Sequence, residues 1–302
     1  MDITLLWIPA TLIAAAGQVA RNAMQWRLTE TIGTVGATQV RFLYGFPFSL
    51  LFLAAVLAVS GERLPGPGPG FWPFILLGAA SQIVATALML AAMRQRSFSV
   101  VIALLKTEAI QIAVFGLLVL GDRLDWSSAA SILVATLGVG LMSSDGRTVS
   151  DMRRTEIAPL AFGLVAAGLF ALSAIGFRGA ILSLDGGGFL VRSTTALAWS
   201  LFLQTAMLTA WLLVFDRAAL TGSLREWRRS VAAGFVGAAT SQFWFLGFSL
   251  TAAANVRTLA LVEVIIAQVV SRRVFAQAVS RREITGMGLV VAGVLGILLA
   301  HS

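Results

Sequence analysis

Three charged residues fall in the middle of stretches that are otherwise apolar: Lys106 and Glu108 in one, Glu263 in another. A charge at the bilayer centre costs about 2.5–3.5 kcal/mol on insertion scales, so such groups face protein or water and mark solute or proton paths. The two acids occupy matching places. Ser81-Gln82 precedes Glu108 as Ser241-Gln242 precedes Glu263. Ala16-Gly17 and Arg41 recur as Ala167-Gly168 and Arg192 at one constant spacing, and Thr136-Leu137-Gly138-Val139 has its partner in Val291-Ala292-Gly293-Val294. A duplicated array of apolar segments with acids at matching mid-span positions is a common build of small-solute carriers.

Helical geometry sorts these groups. Residues two apart point about 200° away from each other, so Lys106 and Glu108 share one cavity only if the helix breaks there. Glu108 shares a face with Gln111, which directs it toward a solute path and leaves Lys106 to pair with an acid on a neighbouring helix. Gln18 and Asn22 share a face of the first span, and Gln82 and Gln242 are repeat partners. Amides inside a membrane either fix helix packing or bind a solute. Trp244 and Phe248, with Met89, read either as plain packing or as the wall of a pocket for a flat apolar solute. Arg21, Arg41, Arg178, Arg192 and Arg257 lie within or just inside span ends, where internal ion pairing or snorkelling is expected. Arg41 and Arg192, with Lys106, are assigned to structural ion pairing.

The elements that position these residues must span lipid. The chain is 58% hydrophobic and 12% charged, with mean hydropathy +0.89. Ten spans can be drawn: Ile3–Trp26, Thr34–Val59, Phe71–Met93, Phe98–Leu120, Trp126–Ser143, Ile157–Ala180, Phe189–Phe215, Val231–Thr251, Ala253–Phe275 and Ile284–Ala300. The expected fold is an all-α integral membrane protein. A five-helix repeat over residues 1–144, a polar linker over 145–156 and a second five-helix repeat over 157–302 would enclose a central cavity. Five is odd, so the copies must be inverted, with the solute site at their interface. The run Gly61-Glu62-Arg63-Leu64-Pro65-Gly66-Pro67-Gly68-Pro69-Gly70 cannot be helical and belongs outside the bilayer. Glycines of the fifth and tenth spans (Gly138, Gly140, Gly286, Gly288, Gly293, Gly296) should permit close helix contact.

The net charge of +8 comes from arginines scattered through short loops, with no basic domain for nucleic acid. They crowd the odd-numbered loops, which places those loops in the cytoplasm and both termini outside. There is no cysteine, one histidine (His301), no HExxH, no GxSxG and no P-loop lysine. An enzyme, a metal site, a cofactor and direct use of ATP are therefore not expected.

The stretch Leu117 to Met142, "LLVLGDRLDWSSAASILVATLGVGLM", ends one span in Leu-Gly-Asp and leads into a glycine-rich next one. With the two halves, it resembles the ten-helix EamA-type exporters of the drug/metabolite transporter superfamily, where Leu-Gly-Glu is usual. Within that group the chain looks like the aromatic amino acid exporters. The resemblance implies a multi-pass protein of the bacterial inner membrane whose first, third, fourth, sixth, eighth and ninth spans surround a cavity. It puts Gln18, Gln82, Glu108, Gln242, Trp244 and Glu263 on cavity-lining helices. The proline that often follows the mid-span acid is replaced by Ala109 and Val264, and the second terminal motif reads Ala276-Gln277. Export of amino acids, aromatic ones favoured, by alternating access is the expectation, with a small-molecule substrate and lipid as partners. A hydrophobic-cation exporter and a non-transporting membrane sensor are the alternatives. Phosphorylated metabolites fit less well, because Lys106 alone is counted at mid-membrane.

Overall fold

The computed structural model describes residues 5–95, 101, 104–122, 125–143, 154–264 and 281–300. Nearly all of them are helical. In chain order the helices are α1 (Trp7–Leu43), α2 (Gly45–Ser60), α3 (Phe71–Gln95), α4 (Glu108–Phe115, continued by a π turn over Gly116–Leu120), α5 (Trp126–Ser143) and α6 (Arg154–Leu182). Then come α7 (Phe189–Phe215), α8 (Arg217–Arg225), α9 (Trp227–Leu250), α10 (Ala253–Leu259) and α11 (Arg281–Leu299). Among the described residues five helical stretches are long and apolar enough to cross a membrane, and Glu108–Leu120, Trp126–Leu141 and Ile284–Leu299 are shorter apolar helices.

One of the five stretches, Trp7–Ser60, runs to 54 residues. At 1.5 Å per residue an unbroken helix of that length would reach roughly 80 Å, far beyond a hydrocarbon core of about 30 Å. It is broken inside α1 at Gly33, whose φ of 71° and ψ of 176° lie outside helical space. A Cβ there would meet nothing within 4 Å, so glycine is required by the backbone angle alone. The pieces before and after Gly33 match the first two sequence spans. Across the turn, Gln25 Nε2 donates to Ala37 O at 3.4 Å.

The glycine-proline run is non-helical throughout. It contributes a two-residue strand, β1 (Gly66–Pro67), that pairs antiparallel with β2 (Leu184–Asp185) in the register Gly66 to Asp185 and Pro67 to Leu184. Gly68 N donates to Ser183 O at 2.9 Å, and Gly188 N donates to the Glu62 carboxylate. These contacts fasten the loop after α2 to the turn after α6.

The most extensive helix contacts are α3 on α6, α5 on α11 and α1 on α9, followed by α2 on α7. Small residues set the separations. A Cβ on Gly176 of α6 would sit 2.6 Å from Gly78 N of α3, and one on Gly138 of α5 would sit 2.6 Å from Gly286 O of α11. Backbone approach of this kind holds helices together where lipid removes the hydrophobic drive between them. Gly138, Gly293 and Gly296 do pack at the α5–α11 contact, whereas Gly140 and Gly288 face open space.

Two helices break just before the mid-span acids. Lys106 and Thr107 form a turn before α4, and Ala260 and Leu261 form a turn after α10. Tighter bonds between residues three apart bridge each break: Ala109 N to Lys106 O at 3.3 Å in one, Glu263 N to Ala260 O at 3.0 Å in the other. No proline is involved. Helix α6 begins at Arg154, so the last three residues of the expected linker are helical. Residues 144–153, the remainder of the ninth span after Val264, the Ala276-Gln277 motif, His301 and the loop arginines Arg96, Arg123, Arg147, Arg153, Arg272 and Arg273 lie outside the described residues.

Candidate functional site

Helical periodicity carries the polar residues to one interior space. On α1, Gln18, Arg21 and Asn22 follow the spacing i, i+3, i+4, and on α3 Gln82 and Met89 are seven apart. On α9 the same rule selects Ser241, Trp244, Phe245 and Phe248. Arg41 arrives from beyond the Gly33 turn, Phe170 and Phe177 from α6, and Arg257 from α10. The break at Lys106-Thr107 lets Leu105, Lys106 and Glu108 all line the same cavity. The space, its open mouth included, amounts to about 550 Å³. A smaller space of about 210 Å³ adjoins it where the two breaks meet, lined by Lys106, Glu108, Arg257, Ala260 and Leu261 among others.

Two ion pairs cross the space between α10 and the α4 region. The Lys106 ammonium contacts Oε1 of Glu263, the acid on the neighbouring broken helix. Arg257 Nε lies 3.1 Å from Glu108 Oε1. That distance makes an ion pair, but neither atom has a hydrogen-bond partner, so the N–H is not directed at the oxygen. The Arg257 guanidinium rests 4.1 Å from the centroid of the Trp244 ring and 5.7 Å from that of Phe248, a cation–π sandwich edge. Trp244 and Phe248 stack with centroids 6.2 Å apart.

Arg21 and Arg41 are placed differently. Each is almost fully buried, at 4% and 3% exposure. Arg21 Nη2 donates to Gln18 Oε1 at 3.0 Å, and Arg41 Nη1 donates to Thr86 Oγ1 at 3.0 Å. Neither meets a carboxylate among the described residues. Arg21 Nε, Arg21 Nη1, Arg41 Nε and the indole Nε1 of Trp244 have no hydrogen-bond partner.

The sequence expectations fare unevenly. Gln18, Gln82, Glu108, Trp244, Met89 and Phe248 all line the cavity. Gln82 Oε1 there accepts from Gln204 Nε2 at 2.7 Å. Gln242 does not line it: one residue on from Ser241 turns its side chain about 100° away, and its Nε2 donates to Thr194 Oγ1 of α7 at 2.9 Å. Glu263 is not on the wall either and reaches the cavity through Lys106. Arg41, expected in an ion pair, hydrogen-bonds a hydroxyl, and Arg192 keeps a buried Nε without a partner. Asn22, read from the sequence as sharing a face with Gln18, lines the cavity too, as do Arg21, Ser241 and Arg257, which the sequence reading does not place among the substrate-binding residues. Their signal was present as the one-face spacing of Gln18, Arg21 and Asn22, and of Ser241, Trp244 and Phe248. Among the described residues four cations, Arg21, Arg41, Lys106 and Arg257, border the cavity, where the sequence reading counts Lys106 alone.

At a mouth of the same bundle, Arg178 of α6 donates from Nη1 to Phe248 O at 2.7 Å and to Thr251 O at 2.5 Å, and from Nη2 to Asp122 Oδ1 at 3.3 Å. It clamps the end of α9 to the loop after the π turn.

Residues 4–144 match the model of the EamA-like transporter family. The match includes the stretches that carry Gln18, Arg21, Arg41, Gln82, Lys106 and Glu108. Twenty-nine solved chains resemble the fold. One crystal structure superposes over 99% of both chains with a TM-score of 0.70 at 14% identity, a likeness of fold alone. No curated protein sequence matches this one.

Proposed function

We propose that the chain is a secondary transporter of the bacterial inner membrane, with ten membrane helices in two inverted five-helix repeats and both termini outside. Its solutes are small metabolites that join a carboxylate to an apolar body. Amino acids belong to that class, aromatic ones favoured, in keeping with an overall likeness of the sequence to the aromatic amino acid exporter YddG. The observation that carries the reading is the buried, charged cavity between helices of the two halves. Arg21 and Arg41 would take the carboxylate, and Phe177, Trp244 and Phe248 the apolar body.

The helix contacts support inversion. The first helix of each half packs on the third helix of the other, α1 on α9 and α6 on α3, and the fifth helices, α5 and α11, pack on each other. An exchange of partners of this kind is what a two-fold relation between repeats produces. Paired breaks beside the acids give each half a hinge, and rocking the halves about the cavity would alternate its access. A hydrophobic-cation exporter is disfavoured, because both carboxylates already contact basic groups.

Counterflow in proteoliposomes tests this. Labelled tryptophan or phenylalanine, or a carboxylate analogue, should exchange, and flux should be lost on Arg41→Gln or Trp244→Ala. Flux of a cationic dye alone would move the assignment to drug export. No flux of any solute would refute transport.

A further inference from the structure

The charges bordering the cavity do not balance. Lys106 is matched by Glu263 and Arg257 by Glu108. Arg21 and Arg41 remain, both more than nine-tenths buried, with no carboxylate among the described residues to answer them. Their stems converge: a Cβ on Gly237 of α9 would sit 3.7 Å from Arg21 Cδ and 3.7 Å from Arg41 Cγ. Arginine stays charged at every physiological pH. Two like charges held side by side out of water repel, and their unused N–H groups, Arg21 Nε and Nη1 with Arg41 Nε, are buried donors without acceptors. Such groups are normally satisfied, so this set awaits a ligand that brings negative charge and several acceptor oxygens.

We propose that the cavity selects solutes of net negative charge, a carboxylate or phosphate head on an aromatic or aliphatic body, over the corresponding zwitterions and cations. The head would bridge Arg21 and Arg41, with the Trp244 indole N–H as a further donor, and the body would lie along Phe177 and Phe248. An ammonium group on the same body gains less here, since Glu108 already faces Arg257 and Glu263 already holds Lys106, which leaves Glu108 Oε1 and Glu263 Oε2 without a hydrogen-bond partner but with their charge already answered. The charge excess is two, so a dianionic head neutralises it and a monoanion halves it. This rests on the transport reading above and revises its substrate ranking, placing anionic carboxylates and phosphates ahead of the zwitterionic amino acids.

The test is a matched series that varies charge on one body: phenyl phosphate, phenylacetate, phenylalanine and phenethylamine. Equilibrium binding to the purified full-length protein is measured alongside counterflow. Phenylacetate or phenyl phosphate should bind at least about tenfold tighter than phenylalanine and phenethylamine, the scale of one charge-assisted contact. The ratio of the two anions reports which head the site prefers. Arg21→Gln and Arg41→Gln should each cost the anions about tenfold and leave phenethylamine unchanged. The wild-type series stands without the variants if either fails to fold. Equal or tighter binding of phenylalanine or phenethylamine, or no binding of either anion, overturns the proposal. Anion binding without flux would refute transport and leave the charge selectivity intact, whereas flux confined to phenylalanine would do the reverse.

Discussion

Arg178, partly buried, and Arg41, fully buried, are both arginines inside a helix bundle, and their surroundings differ in a respect that separates structure from function. Arg178 meets a carboxylate and two backbone carbonyls at the end of α9. Arg41, like Arg21, meets one neutral side-chain acceptor and keeps donors unused inside a cavity. A guanidinium whose charge is answered by a carboxylate is a clamp, even with one N–H unused as at Arg178 Nε, and removing it leaves partners stranded. One whose charge no carboxylate answers contributes little to the fold by itself, and it stands ready for something that arrives from outside. The same contrast divides Lys106, paired with Glu263, from Arg21 and Arg41, which line the same cavity without a carboxylate among the described residues.

The contrast can be broken most severely at its best-paired member. Lys106→Ala strands the Glu263 carboxylate in the interior and should cost about 3–5 kcal/mol, read as a drop in melting temperature in detergent. Replacing both partners, Lys106→Met with Glu263→Leu, should recover most of that loss. A single variant that melts like the wild type would show that the pair is not what holds α4 to α10. Removing the clamp comes next. Arg178→Gln gives up hydrogen bonds that involve a charged group, each worth about 1.5–3 kcal/mol, and should loosen the mouth between α6 and α9. Thiol labelling of a cysteine placed at Thr251 would report that loosening, and an unchanged labelling rate would contradict the clamp.

Arg41→Gln sharpens the comparison from the other side. It removes a charge that no described carboxylate answers, so stability should stay within about 1 kcal/mol of wild type or rise while solute binding falls. A collapse as large as that of Lys106→Ala would reclassify Arg41 as structural. The smallest effect lies outside the membrane. Asp125 caps α5: it accepts from the Ser127 hydroxyl and from Ser128 N, and these bonds hold its carboxyl down at about 2, below the ordinary value of 3.8. Because its folded pKa is depressed, its contribution is complete above about pH 4 and is lost as pH falls through about 2. Fluorescence of the neighbouring, exposed Trp126 should change over that window and stop doing so in Asp125→Asn.

Much of this architecture is legible in the residues. The hydropathy runs separate the first two spans, Ile3–Trp26 and Thr34–Val59, and the Ser-Gln and Glu echoes point to the helices that meet at the centre. What escaped the reading has physical causes. Gln242 echoes Gln82 in sequence, but a single residue of helical rotation hands the cavity face to Ser241, Trp244 and Phe248. The breaks at Lys106-Thr107 and Ala260-Leu261 contain neither proline nor glycine, so nothing local announces them, and they alone allow Lys106 and Glu108 to share a cavity. Arg21 and Arg41 lie toward the ends of their spans, where snorkelling is the usual expectation. Their convergence depends on the turn at Gly33 and on α9 crossing both at Gly237, which is tertiary packing with no counterpart in one-dimensional spacing.

The account stands on the cavity being a solute site whose access alternates. The chain has no cysteine, so Ser241→Cys places one thiol on the cavity wall. Labelling of that thiol by a membrane-impermeant reagent, applied to each side of sealed proteoliposomes with and without phenylacetate, tests the claim directly. The account predicts that the thiol reacts predominantly from one side, that the preferred side shifts when solute is added, and that solute slows the reaction. Equal reaction from both sides at once, as in an open pore, or no reaction from either side, would contradict it.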